Sequence, residues 1–203
     1  MVSQLKVNEI IKQSGSSITI GESGDTVSIP SGATFSIAGS NYTAGITNAE
    51  QHHLTSNINI DSADTWTLLT PFTRSSGSGL GNIETYVSSS SGIFSFSQTG
   101  YYLIQFIGYH KRSNHLVQYS GTSIYMTTNN SSYNALTETY TNLQDTSNAY
   151  GNSSNTAVVD ITDTSQCKVK FMGQSSDAGG TQFQGNTNLP VKNYATFLRI
   201  GDT

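Results

Sequence analysis

The chain has 203 residues, a mass of 21.7 kDa and a formal net charge of −4. That length allows one or two small domains. The acidic balance, with Lys111-Arg112 as the only adjacent basic pair, argues against general nucleic-acid binding, which needs a basic face. Ser, Thr, Asn and Gly fill nearly half the chain, yet 11 Tyr and 8 Phe remain to build a core, so composition excludes a disordered low-complexity chain and points to an all-β protein with long polar loops.

Residues 1–13 alternate apolar and polar positions through Val2, Leu5, Val7 and the pair Ile10-Ile11, a pattern that fits a strand or one short helix. The segment lacks an apolar signal-peptide core, so synthesis in a cytoplasm is expected. No run in the chain approaches the roughly 18 apolar residues of a membrane span, so no membrane insertion is expected.

Residues 14–40 repeat a short β unit with an apolar, Ser/Thr, apolar centre: Ile18/Ile20, Val27/Ile29 and Phe35/Ile37, spaced by Gly- and Pro-containing turns. Two buried side chains per strand are too few for a free-standing sheet. Three copies wound about an axis would bury them together, giving a short β stalk; a hairpin packed on the main domain is the alternative. Residues 41–63 read as a connector. Thr47-Asn-Ala-Glu50 resembles a capping box, predicting one or two helical turns over Gln51-His-His-Leu54.

From residue 64 the chain reads as eight to ten short strands, the pattern of a sandwich or jelly roll. The strongest signal is Gly92 to Gly108. Phe94 and Phe96 alternate with serines, Gln98-Thr-Gly100 turns the chain, and Tyr101 to Ile107 is almost continuously aromatic or branched, as expected of a strand covered on both faces. The single cysteine, Cys167, alternates with Val169 and Phe171 and reads as a small core residue; alone it permits neither an intrachain disulfide nor a Cys-based zinc site.

Phe94-x-Phe-x-x-x-Gly100-Tyr-Tyr, Ser123-Ile-Tyr-Met126, Ala157-Val-Val-Asp-Ile161, Cys167-Lys-Val-Lys-Phe171 and the last strand, Tyr194-Ala-Thr-Phe-Leu-Arg-Ile200, resemble in this order the jelly roll of the C1q/tumour-necrosis-factor-like superfamily. The resemblance covers 64–203 and implies a threefold trimer with first and last strands near the axis. A second resemblance covers the N-terminus. Leu5-Lys-Val-Asn-Glu-Ile-Ile11, Ser14 to Gly21 and Thr26 to Thr34 look like the opening of fibre-like virion proteins of tailed bacteriophages. It implies an N-terminal anchor at Leu5, Val7, Ile10 and Ile11, a trimeric stalk and an outward head.

Catalytic and metal signatures are weak. The histidines His52, His53, His110 and His115 read as connector or loop residues, and the scattered acids match no calcium loop or phosphate-binding motif. No enzyme activity, cofactor or metal is expected. The Tyr-, Ser- and Asn-rich stretch from 119 to 155 has the chemistry of adaptable binding surfaces. Loops at 110–115, 128–134 and 145–155 are therefore expected to meet a host-surface glycan or protein, with His110, Lys111, Arg112, Tyr133 and Tyr150 as contact residues. The expected function is a homotrimeric short fibre of a bacteriophage virion used in host attachment; the alternative is a capsid decoration protein.

Overall fold

The structure is a computed structural model that describes residues 23–24, 26, 46–77, 79–113, 117–144, 146 and 149–203. The chain divides into two units, Met1–Tyr42 and Thr43–Thr203. The anchor residues and the stalk residues Ile18, Ile20, Val27, Ile29, Phe35 and Ile37 belong to the first unit and lie outside the described residues.

The second unit is all-β. Its strands are β1 (Asn48–Leu54), β2 (Ile58–Asn59), β3 (Thr67–Leu68), β4 (Phe72–Arg74), β5 (Val87–Ser90), β6 (Ile93–Phe96), β7 (Gly100–Arg112), β8 (Ser120–Thr127), β9 (Asn134–Thr141), β10 (Tyr150–Ile161), β11 (Lys168–Ser175), β12 (Thr181–Phe183) and β13 (Tyr194–Gly201). Sheet A runs β2-β12-β7-β13-β1-β4, with β10 on the other side of β7; sheet B runs β5-β6-β11-β8-β9, with β3 also on β11. All pairings are antiparallel. The chain crosses from sheet B to A at β6–β7, back at β7–β8, and again at β9–β10 and β10–β11, which is jelly-roll topology.

Alternation builds the core. Tyr102, Ile104 and Phe106 of β7 point inward with Phe197 of β13, and meet Phe94, Phe96 and Phe171 of sheet B. Phe106 stacks on Phe171 at 4.6 Å, and Phe94 packs on Phe72, Phe171 and Phe197 at 5.1 to 5.3 Å. Burying each such ring contributes about 2 kcal/mol. Cys167 lies in this core, as its alternation with Val169 predicts. Gly100 has a φ of +136°, and a Cβ there would stand 2.5 Å from the carbonyl oxygen of Gly201. The Gly-Tyr-Tyr sequence thus lets β7 start flush against the end of β13.

Three expectations need correction. Asn48–Leu54 is strand, not helix: β1 pairs with both β13 and β4, so sheet A begins inside the segment read as a connector. Nonlocal pairing overrides the local cap signal there. β7 runs on to Arg112, which places His110 and Arg112 inside the fold rather than on a loop. Residues 150–155 of the expected 145–155 loop are the first half of β10.

The polar composition of that half-strand has a structural reason. Where β7, β8 and β10 meet, the space between the sheets is filled by polar side chains. His110 bonds Ser120 Oγ at 2.6 Å through Nδ1 and Ser153 Oγ at 2.7 Å through Nε2. Thr122 Oγ1 reaches Ser153 at 2.5 Å, and Asn155 Nδ2 donates to Thr122 and Thr139. Burial pushes the His110 pKa down to about 3, so the ring is neutral inside this network.

Candidate recognition surfaces

The outer face of sheet A carries apolar and polar rows side by side. The cross-strand row Val158, Leu103, Leu198, Ala49 follows directly from the registers of β10, β7, β13 and β1. A second row, Thr156, Gln105, Thr196, Gln51, is polar, and a third brings Ile107 and Tyr194 together. Val158 is 61 % exposed and Tyr101 42 %. β7 was expected to be covered on both faces, but among the described residues of the second unit only its inner face is covered, and Tyr101 and Gln105 are exposed.

The outer face of sheet B is aromatic. Outward positions of β8, β9 and β11 place Tyr140 beside Gly121 and Gln174, and Tyr125 beside Lys170. The Tyr140 ring lies against Gly121, where a Cβ would stand 2.6 Å from two ring carbons. Trp66, just before β3, approaches Tyr140 at 6.1 Å and Tyr125 at 6.2 Å. Tyr119 meets Tyr140 edge-on at 5.4 Å. Lys170 Nζ sits 4.3 Å from the centre of the Tyr133 ring and 5.6 Å from that of Tyr125. The Tyr119 hydroxyl donates to Asp64, a bond that raises its pKa; the Tyr140 hydroxyl lies 3.2 Å from both Glu138 Oε2 and Gln174 Oε1.

The five expected contact residues do not converge. His110 is fully buried, and Arg112 is buried with Nη1 donating to the carbonyls of Gln144 and Thr146. Lys111 pairs with Tyr150 on sheet A, where Tyr150 stacks on Tyr109 at 5.5 Å. Tyr133 alone joins the sheet B cluster. Sequence reasoning missed Trp66, which sits outside the Tyr-rich stretch. Its position as the chain's single tryptophan, just before a short strand, was the one available signal.

A third cluster ties the sheets together at one end. Glu50 points inward from β1 and accepts the N–H groups of Tyr86 and Val87 at 2.5 and 2.8 Å, the latter opening β5 in sheet B. Arg74 Nε donates to it at 2.8 Å, Asn48 at 2.7 Å, and His52 Nε2 lies 3.5 Å away. Burial alone would raise the Glu50 pKa, but interactions with His52, Asn48, Val87 and Tyr86 outweigh it and hold the value at about 2. His52 and His53 are therefore buried strand residues, not connector residues.

No family model matches the chain, and no curated protein matches it. Solved structures do. A crystal structure of murine APRIL aligns with a TM-score of 0.52 at 10 % identity, over 75 % of this chain and 98 % of that one. The structure of Eiger TNF from S. frugiperda aligns with a TM-score of 0.53 at 11 % identity, over 76 % and 93 %. The chain therefore carries a jelly roll of the tumour-necrosis-factor-like fold.

Proposed function

We propose that the protein is a structural component of a bacteriophage virion: a homotrimeric short fibre whose jelly-roll head faces outward and attaches to the host surface. Leu5, Val7, Ile10 and Ile11 would hold it to other virion proteins, and the 14–40 segment would form the stalk. The observation that carries the reading is the open outer face of sheet A. Its aliphatic row Val158, Leu103, Leu198, with exposed Tyr101 nearby, forms an apolar stripe that water penalises and a second copy would cover. The fibre-like N-terminal sequence supports the particle context. The same trimer clamping neighbouring capsid subunits would make a decoration protein instead.

Light scattering on the full chain tests the trimer. Three chains of 21.7 kDa give a native mass of about 65 kDa. A monomer overturns the proposal. Labelled protein is then mixed with a panel of bacterial cells and with isolated phage heads. Adsorption to cells supports attachment, and binding only to heads supports decoration.

A further inference from the structure

The two sheets of a sandwich present their outer faces in opposite directions. If sheet A faces the trimer axis, the aromatic face of sheet B faces solvent. We infer that this face, centred on Trp66 and Tyr140, binds a neutral saccharide; the inference rests on the attachment reading and gives it a ligand class.

A pyranose has an apolar C–H face and a rim of hydroxyl donors. It is matched by flat rings flanked by hydrogen-bond acceptors. Both parts are present. Tyr140 is 49 % exposed, tilted 44° to Trp66, and stands perpendicular to Tyr119, which makes a floor and a wall. Tyr119, Tyr140 and Asn142 line a shallow open depression of about 330 Å³, at the small end of ligand sites. Around the rings stand Asp64, Glu138 and Gln174. A carboxylate accepts about four hydrogen bonds, so Asp64 and Glu138 keep acceptor capacity after bonding the tyrosine hydroxyls.

The rings are also held in place before any ligand arrives. Gly121 seats Tyr140, and the Lys170 ammonium lies over Tyr133 and Tyr125. Rigid rings lose little entropy on binding. An apolar protein anchor would desolvate Asp64 and Glu138 without supplying donors, which is costly. An acidic sugar would meet the same two carboxylates. A neutral polyhydroxylated ligand avoids both penalties. Three such faces on one trimer would add avidity to weak single-site binding.

Trp66 is the only tryptophan in the chain, so its emission reports on this site alone. The full-length protein is titrated with maltohexaose, cellohexaose, mannohexaose and the hexamer of N-acetylglucosamine, and is applied to an array of neutral and acidic oligosaccharides. The expected result is a saturable change in Trp66 emission with at least one neutral sugar. Tyr140→Ala should weaken it at least tenfold with native mass and melting temperature unchanged. Trp66→Ala, read on the array, should lose the same sugars. Retention of no sugar, retention of acidic sugars alone, or binding undiminished in both variants overturns the inference. Cell adsorption is scored on the same preparations. Adsorption that persists in Tyr140→Ala, with no sugar bound, removes this inference and leaves attachment standing. Tyr140-dependent sugar binding without adsorption does the reverse.

Discussion

The two outer faces of this sandwich solve the problem of exposed apolar surface differently. On sheet A strand register sets one aliphatic row, Val158, Leu103, Leu198 and Ala49, across four strands beside a polar Thr/Gln row. Val158 and Leu198 have no polar atoms with which to meet water, so only burial against another surface relieves them. On sheet B the exposed Tyr140 and the half-buried Trp66, Tyr119, Tyr125 and Tyr133 each carry one polar atom, and most are tied down by a hydrogen bond or a cation, with Leu136 the exposed aliphatic residue of β9. Such rings tolerate water and remain available to a ligand. An aliphatic face implies a permanent partner, and a fixed aromatic face an exchangeable one.

That contrast can be broken most severely at Val158. Val158→Lys places a charge in the aliphatic row and, repeated in every copy, should reduce the native mass from about 65 kDa to 21.7 kDa while Trp66 emission stays unchanged. An unchanged mass would mean that sheet A is not the self-association face.

The frame beneath both faces depends on Glu50. Glu50→Gln removes the carboxylate that holds Arg74 and the Tyr86 and Val87 N–H groups, and should cost about 3 kcal/mol, read as a melting temperature lower by roughly 10 °C. A loss under 1 kcal/mol in urea titration would show that the contact does not stitch the sheets.

Acid sensitivity follows from groups whose folded pKa values are depressed, His110 and Glu50 chief among them, with His53 lowered by burial in the same direction as His110. An unfolded His110 takes up a proton below pH 6.5, whereas the native ring stays neutral down to about 3, so its contribution is complete above 6.5 and declines as pH falls. Glu50 behaves the same way in a lower window, with stability complete above 4.5 and lost as pH falls toward about 2. Melting temperature should therefore decline between pH 7 and 5, and more steeply below 4.5. His110→Gln should flatten the upper part of the curve.

The smallest expected effect is also the most selective. Gly121→Ala pushes a methyl group against the Tyr140 ring, which is half exposed and can tilt away at about 1 kcal/mol. Trp66 emission should shift while native mass holds. A change in mass would couple the two faces, which the comparison treats as separate.

Much of the fold could be read from the chain because burial on one face writes a period of two. β6, β7, β11 and β13 all carry it in aromatic and branched residues. β1 did not, since Asn48-Ala-Glu-Gln-His-His-Leu54 buries polar groups inward and mimics a helix start. The Ser/Asn half of β10 looked like a loop for a related reason: it lines a buried hydroxyl network around His110 rather than an apolar core. Tyr119, Tyr125, Tyr133 and Tyr140 of the sheet B cluster all lie in the Tyr-rich stretch, although of the five named contact residues only Tyr133 is among them.

The sequence by itself determined that this protein is an antiparallel β-sandwich, because alternation and turn chemistry are local properties that each short segment carries. Tertiary structure decided which polar residues are inside and which aromatics share a face. Trp66 and Tyr140 are 74 positions apart and meet only because β3 and β9 lie in the same sheet, on either side of β11 and β8. Glu50 and Val87 meet only because β1 and β5 lie in facing sheets. Long-range pairing is set by the register of whole strands, and no local pattern records it.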